Sequence, residues 1–185
     1  MAKVLVPLAE GFEDLEAIAI IDVLRRGGVE VVSASISESV AVKSAHGIEM
    51  KADALFSEVG QDQYDALILP GGGKGTENLK ACPELAERLR KQRDEGGLLC
   101  AICAAPTVLV AADALRPGAH VTCYPTCQME LDRPWSPAPV VSDAGIITGQ
   151  GPGSALLFAL VVLQHLAGDS LAQRIARTMV TDVLS

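Results

Sequence analysis

Cys103 is the residue of this sequence best placed for covalent chemistry. It follows the apolar run "LLCAI" and precedes "AAPT", so it stands where a buried strand passes into a helix. A nucleophile elbow needs small residues on both sides of the reactive residue, and Ala101, Ala104 and Ala105 supply them. The positive end of the following helix favours a thiolate over a thiol. Composition alone supports a buried structural cysteine equally well.

A group of carboxylates in "AEGFEDLE", after the first predicted strand, offers proton-transfer chemistry. Glu10, Glu13 and Asp14 are typical of a helix start, where negative charge is favourable. Glu16 lies one turn further on among apolar residues, so we expect it to point inward. The crowded negative charge also argues against a flavin phosphate at this loop, although the alternation of strands and helices suits a flavodoxin-like fold.

The glycine loop "PGGGKGTE" resembles a phosphate cradle, but its spacing disagrees with the known nucleotide motifs. A Walker A loop has Ser or Thr directly after Lys, whereas Gly75 follows Lys74 here. Thr76 occupies the place of the third glycine in the dinucleotide pattern. A tight turn and an oxyanion hole, built from backbone N–H groups, remain as interpretations.

The other cysteines point to neither a redox pair nor a metal site. Cys100 and Cys103 match C-x-x-C, but Cys100 lies inside the predicted strand, so the two side chains should face different directions. Cys123 and Cys127 lack the further ligands that zinc requires. We therefore expect no metal, and five reduced thiols in an intracellular chain.

The pattern of apolar residues predicts alternating strands and helices around these loops. We predict an α/β fold: a flavodoxin-like three-layer α/β/α sandwich with a mostly parallel central sheet, in a single domain over 1–185. The carboxyl edge of such a sheet, where the three loops lie, should carry the chemistry. Predicted strands are 3–9, 29–36, 64–73, 98–102, 120–125, 139–143 and 145–150, with a hairpin at 39–53. Predicted helices are 13–28, 82–97, 105–115, 151–168 and 169–180, the last capped by Asp169.

Charge and composition exclude several classes of partner. A net charge of -8 and only 3% aromatic residues argue against nucleic acid. The most apolar stretch, 155–163, is shorter than the roughly 20 residues of a membrane span, so we expect a buried helix and no membrane partner. Strand-like residues begin directly after Lys3, which leaves no room for a secretory leader and predicts a cytoplasmic location.

The blocks "AEGFEDLEAI", "DVLRRGGVEV", "YDALILPGGGKGTENL", "AICAAPTVL" and "GQGPGSALLFAL" occur together, in this order, over nearly the whole chain. In these blocks the sequence resembles the ThiJ/PfpI superfamily, which has a class I glutamine amidotransferase-like fold. The similarity is to the branch that contains the Parkinsonism-associated oxidative-stress protein and its bacterial relatives.

The resemblance implies specific roles for the candidate residues. Cys103 would be the elbow cysteine and Glu16 the protonated acid beside it, while backbone N–H groups of Gly71, Gly72 and Ala104 would face the sulfur or a substrate oxyanion. It also implies a homodimer with sites near the subunit interface. Two departures are present: relatives commonly carry glycine at the position of Ala105 and a histidine at that of Tyr124.

The resemblance further implies a protein of oxidative or carbonyl stress, whose reactive cysteine meets peroxide or small aldehydes. One hypothesis is a cofactor-independent glyoxalase or protein deglycase acting on 2-oxoaldehydes such as methylglyoxal. The alternative is a non-enzymatic redox sensor or chaperone that works through oxidation of Cys103. A cysteine hydrolase is less favoured because Tyr124 replaces the histidine base, and a thiazole-phosphate biosynthesis enzyme because no phosphate motif is present.

Overall fold

A computed structural model describes residues 1–182; the last three residues of the predicted domain, 183–185, lie outside it. The strands are β1 (Lys3–Leu8), β2 (Glu30–Ser35), β3 (Ala41–Lys43), β4 (Glu49–Lys51), β5 (Ala54–Leu55), β6 (Ala66–Leu69), β7 (Leu98–Ile102), β8 (Val140–Asp143) and β9 (Ile146–Gly149). The helices are α1 (Asp14–Arg26), α2 (Phe56–Val59), α3 (Gly73–Lys80), α4 (Pro83–Asp94), α5 (Pro106–Ala111), α6 (Ala155–Ala167) and α7 (Asp169–Thr178).

Seven of these strands form the central sheet, in the order β5-β2-β1-β6-β7-β9-β8. All neighbours pair in parallel except β8 and β9, which form an antiparallel hairpin at one edge. The prediction of a mostly parallel sheet is therefore confirmed. The predicted excursion at 39–53 is also confirmed, because β3 and β4 pair antiparallel in a separate two-stranded sheet.

Helices cover both faces of the central sheet, as the three-layer prediction required. Alternate residues of β1 show why: Val4, Val6 and Leu8 face one apolar core, and Leu5 faces the other. The first core is closed by α1, α6 and α7, and the second by α3, α4 and α5. Strands buried on both faces read as continuous apolar runs, which is what the sequence displays.

The apolar helix α6 lies against the strands that carry the reactive loop. Phe158, near the start of α6, is fully buried, and its ring edge comes close to Gly149 at the end of β9. A Cβ at Gly149 would meet the Ile102 side chain at 2.8 Å and Phe158 at 3.0 Å. Among the helices of residues 1–182, none is both long and apolar enough to cross a membrane.

Two sequence predictions about local structure are wrong. Residues 120–125 form no ladder strand, because β7 and β9 already pair with each other and leave no place in the sheet. Val121 makes a single bridge to Trp135, and a 3₁₀ helix, Pro125–Glu130, follows. Asp169 does not cap α7: Gly168 is the capping residue, and the Asp169 carboxylate accepts a bond from Gln164 instead.

Three short elements escaped the sequence analysis. Helix α3 begins inside the glycine loop, at Gly73, where a low helix propensity hid it. The other two are β5 and α2, which together span only residues 54–59. As a result the glycine loop is a strand-to-helix junction at the carboxyl edge of β6, beside the loops that follow β1 and β7.

The packing of α6 predicts a strong dependence of stability on Phe158. Replacing it with Ala leaves a cavity against the end of β9 and should lower the free energy of unfolding by about 3–5 kcal/mol. Urea denaturation measures this change. The matched control is Leu157→Ala on the same helix, where the side chain is only partly buried and the loss should be clearly smaller; equal losses would contradict this account of the core.

Candidate active site

Cys103 occupies the sharp junction between β7 and α5. Its φ of 64° lies in the left-handed region, which costs a residue with a Cβ about 1–2 kcal/mol. Two backbone hydrogen bonds hold this conformation: Cys103 N–H donates to Gly149 O at 2.9 Å, and Tyr124 N–H donates to Cys103 O at 2.8 Å. The sulfur-bearing residue is 8% exposed. The predicted nucleophile elbow is thus present, with its side chain turned out of the strand.

Glu16 reaches the same junction from the first turn of α1. It is fully buried, and its Oε2 accepts a hydrogen bond from Gly71 N–H at 2.7 Å. Its carboxyl group lies close enough to the Cys103 thiol for each group to affect the pKa of the other. Its Oε1 has no hydrogen-bond partner among the described residues. The structure therefore brings together the two side chains that the sequence singled out.

The glycine loop fits between these two groups because it has no side chains. A Cβ at Gly71 would lie 2.7 Å from both Cys103 Cβ and Glu16 Oε2. Gly72 has a φ of 95°, and a Cβ there would meet Gly11 O at 2.4 Å. Both positions need glycine, the first for space and the second also for its backbone conformation.

The backbone donors around the sulfur differ in one respect from the expectation. The backbone N–H groups of Gly72 and Ala104 lie near the Cys103 sulfur and lower its pKa. The N–H of Gly71 is instead taken by Glu16 Oε2, so it faces the acid and not the sulfur. The sequence could place three N–H groups near the site, but their directions depend on the turn of the glycine loop.

Burial raises the pKa of Glu16 from its ordinary 4.5 to about 7. The Gly71 N–H and the thiol act in the opposite direction, because they bond to the charged form, while the charge of Glu13 adds to the rise. A carboxyl group in this state is an acid that both gives and takes a proton near neutral pH.

Burial also raises the pKa of Cys103, to about 12, and the neighbouring Glu16 carboxylate adds to this rise. The N–H groups of Gly72 and Ala104 lower it, but by less. Burial thus opposes the thiolate that the following helix end would favour. Since part of the rise comes from the Glu16 charge, a thiolate needs the proton to stay on Glu16.

The remaining predicted neighbour, Tyr124, lies beside the elbow. It is 44% exposed, and a Cβ at Gly151 would touch its ring at 3.4 Å. The three histidines are engaged elsewhere: His46 with Asp14, His120 with Asp143, and His165 with Ser142 and Val161 O. The proton-transfer group in contact with Cys103 is therefore the acid Glu16.

Sequence analysis missed a polar cluster next to Glu16. Within residues 1–182, Glu13, Asp14 and His46 bring one ligand-type atom each within 4.8 Å of one another. Asp14 Oδ2 lies 2.7 Å from His46 Nδ1, Asp14 Oδ1 accepts a bond from the Ser44 hydroxyl, and Glu13 Oε2 accepts one from Glu16 N–H. These atoms are already bonded within the protein, so the cluster has the character of a hydrogen-bonded ion group rather than of a vacant metal site.

Cys100, the other cysteine of the C-x-x-C match, takes no part in this site. Cys100 is fully buried in the middle of β7, and burial raises its pKa far above the ordinary range. All five cysteines are free thiols.

Comparison with known protein families identifies a family that covers most of the chain. The DJ-1/PfpI family matches residues 2–165. The chain belongs to this family. The mostly parallel sheet flanked by helices, which the sequence pattern predicted, is also the fold of its structural neighbours, which are DJ-1 proteins.

Individual relatives agree with the family assignment. Protein DJ-1 homolog B of Arabidopsis thaliana is 38% identical over 96% of this chain, which spans only 41% of that protein. Glutathione-independent glyoxalase DJR-1.2 of Caenorhabditis elegans is 37% identical, with 90% of this chain and 89% of the relative covered. Oxidized DJ-1 of Toxoplasma gondii superposes with a TM-score of 0.94 at 36% identity, over 98% of this chain and 99% of that one.

The raised pKa of Glu16 predicts a pH-dependent penalty on stability. Between 4.5 and about 7 the folded chain holds a proton that the unfolded chain has lost, so the free energy of unfolding falls as the pH rises through this window. Glu16→Gln keeps an oxygen for Gly71 and cannot ionise. We expect it to match the wild type at pH 4.5 and to exceed it above pH 7 by up to about 3 kcal/mol.

Urea denaturation at several pH values measures this difference. The matched control is Glu10→Gln, an exposed carboxylate on the same edge of the sheet. An equal pH-dependent gain in this variant would assign the effect to net charge and not to Glu16. A constant difference for Glu16→Gln would mean that Glu16 is not the source of the penalty.

Proposed function

We propose that this protein converts small 2-oxoaldehydes such as methylglyoxal into 2-hydroxy acids without a cofactor, with Cys103 as nucleophile and Glu16 as acid and base. The observation that carries the proposal is the contact between the Cys103 thiol and a buried carboxyl group whose pKa is about 7. The family membership and the relative named as a glutathione-independent glyoxalase support the same activity.

The first step is the addition of sulfur to the aldehyde. With the proton on Glu16, the Cys103 thiolate attacks the aldehyde carbon, a carbon–sulfur bond forms, and the carbonyl electron pair moves to oxygen. Glu16 gives its proton to this oxygen, which yields a neutral hemithioacetal and a Glu16 carboxylate. The N–H groups of Gly72 and Ala104 stabilise the negative charge before the proton arrives.

The second step moves hydrogen between the two substrate carbons. The Glu16 carboxylate removes the proton from the former aldehyde carbon, which gives an enediolate. The hydroxyl proton passes from the first oxygen to the second, and Glu16 returns its proton to the neighbouring carbon, so the first carbon is oxidised and the second is reduced. The product is a thioester of the hydroxy acid. Water then hydrolyses the thioester, releases lactate when methylglyoxal is the substrate, and restores the thiol. No external oxidant or reductant is required.

This proposal makes turnover depend on both side chains. Cys103→Ser and Glu16→Gln should each lower the rate of lactate formation from methylglyoxal, in buffer without glutathione, by at least about 100-fold. Cys82→Ser is the matched control, because Cys82 is a partly exposed thiol away from the elbow, and it should keep wild-type turnover. Unchanged lactate formation by Cys103→Ser would overturn the mechanism.

A second candidate, redox sensing, draws on the same pair of side chains. A Cys103 thiolate attacks peroxide, gains one oxygen as a sulfenate and releases water, and a second peroxide takes it to a sulfinate. The protonated Glu16 would then donate a hydrogen bond to the sulfinate. The related Toxoplasma gondii structure is described as oxidized, which favours this candidate for that protein.

Mass spectrometry after mild peroxide treatment distinguishes the two candidates. Sensing predicts that Cys103 gains two oxygens while Cys82 and Cys127, both more exposed, gain none, and that methylglyoxal turnover is absent. In the Glu16→Gln variant the sulfinate should be lost or should proceed to the sulfonate. Uniform oxidation of all exposed cysteines would argue against a dedicated sensor.

We further propose that the protein acts as a cytoplasmic homodimer built from single 1–185 domains. Support for a second copy comes from three exposed apolar side chains near the site. Leu15 and Ile18 lie on one face of α1, at 65% and 52% exposure, and Ile48 lies at 59% in the adjoining hairpin. Exposed apolar residues grouped in this way are typical of an interaction surface.

A further inference from the structure

Three hydrogen bonds link Glu13, Glu16 and Gly71, and one of them fixes the carboxylate of Glu13. Its Oε2 accepts a bond from Glu16 N–H at 2.8 Å, which makes it the N-cap of α1. Its own N–H donates to Gly71 O at 2.9 Å, while Gly71 N–H donates to Glu16 Oε2 at 2.7 Å. Glu13, Glu16 and Gly71 thus form a closed group, and the two carboxyl groups are held on the same turn.

This position is unusual for a charged capping residue, because Glu13 is only 8% exposed. Capping is commonly done by the short side chains of Ser, Thr, Asp or Asn at an exposed helix end. A buried carboxylate interacts more strongly with a neighbouring charge than an exposed one, since water screens it less. Glu13 therefore brings to the site a charge that a neutral cap would not.

The turn of the β3–β4 hairpin lies over this group and is fastened to α1. Asp14 accepts hydrogen bonds from the Ser44 hydroxyl and from the His46 backbone, and its Oδ2 lies 2.7 Å from His46 Nδ1. Ala45 N–H donates to Phe12 O at 2.8 Å. We call this turn, residues 44–48, the hairpin cover. It lies beside Glu13, as the 4.8 Å cluster of Glu13, Asp14 and His46 shows.

We propose that Glu13 is a positioning residue for the Cys103–Glu16 pair, whose buried charge keeps the proton on Glu16, and that the hairpin cover maintains this effect by shielding Glu13 from water. The proposal rests on the proposed function only in taking Cys103 and Glu16 as the working pair.

The direction of the effect follows from the charges. A Glu13 carboxylate opposes a second negative charge on Glu16, so it raises the Glu16 pKa in addition to the larger effect of burial. A protonated Glu16 in turn permits a thiolate at Cys103, because the Glu16 charge is one of the causes that raise the thiol pKa. Glu13 thus favours the reactive form of the pair without contacting the sulfur.

The other charged groups around this turn are few and their places are known. Asp14 and His46 pair with each other, and the pKa of His46 is raised by Asp14 first and by Glu13 to a smaller extent. Glu10 accepts a bond from Lys43 N–H, which ties it to the end of β3, next to the hairpin cover. Lys74 packs against Gly11 from α3. An experiment on Glu13 must therefore separate its charge from that of Glu10 and from the state of His46.

The test is a pH titration of the Glu16 carboxyl carbon by ¹³C NMR in the full-length protein, with Glu16→Gln used to assign the signal. Glu13→Gln keeps the capping oxygen and removes the charge. We expect it to lower the Glu16 midpoint by about half a pH unit, roughly a threefold change in the ionisation equilibrium for charges at this separation. Glu10→Gln is the matched control and should leave the midpoint within about 0.1 unit, since its charge lies outside the closed group.

A second variant tests the hairpin cover without changing any charge. Ser44→Ala removes the hydroxyl that bonds Asp14 and Ile48 N–H, so the turn should loosen and water should reach Glu13. We expect a smaller downward shift of the Glu16 midpoint, and no further shift when Ser44→Ala is added to Glu13→Gln. An equal shift in both backgrounds would overturn the role of the cover.

An unchanged midpoint in Glu13→Gln would show that Glu13 is only a helix cap and would overturn the proposal. An equal shift in Glu10→Gln would overturn it as well, because the effect would then be a general one of net charge. The titration needs no turnover, so a failure to convert methylglyoxal would count against the proposed function and leave this inference standing.

Discussion

The contact between a buried carboxyl group and a buried thiol is the constraint on which the rest of this structure depends. Glu16 lies in α1 and Cys103 directly follows β7. They are 87 residues apart in the sequence but neighbours in the fold. Two ionisable groups can share a water-poor site only if they carry one negative charge between them. The sheet edge brings the groups together, and the backbone N–H groups of Gly71, Gly72 and Ala104 supply the donors that make this one charge tolerable.

The geometry around the pair explains why small residues surround it. Gly71 passes between the two side chains, where any Cβ would collide with both, and Cys103 takes a left-handed conformation to leave the strand. Such strain persists only where neighbouring structure enforces it. Here β9 and residue Tyr124 do so through their backbone hydrogen bonds to Cys103. Phe158 of α6 packs against Gly149, the residue of β9 that accepts the hydrogen bond from Cys103 N–H. The core around α6 therefore supports the elbow through β9.

The sequence predicted the fold, and the proximity of Glu16 to Cys103, where a single pattern of residues was decisive. The run from β1 through α1 to β2 has clear periodicity, and Glu16 was recognised because a charge amid apolar helix residues is exceptional. Residues 120–125 were wrongly predicted as a strand of the sheet. Their composition suits a strand, but it does not reveal that β9 occupies the place beside β7. The direction of the Gly71 N–H was predicted wrongly, because it depends on the turn of the glycine loop. The cluster of Glu13 and His46 was missed, because the hairpin that carries His46 meets α1 only in the folded protein.

The thiol also shows the limit of reasoning from a helix end alone. A positive helix terminus favours an anion, and α5 begins directly after the elbow, yet burial has the larger effect and raises the Cys103 pKa to about 12. The Glu16 charge is a further cause of this rise, so the proposed chemistry requires the proton to stay on Glu16 and depends on the pair rather than on the cysteine alone. Aldehyde chemistry and peroxide chemistry both begin from that state. What separates them is therefore which molecule reaches the sulfur and whether Glu16 is afterwards required to move a proton or merely to hold one.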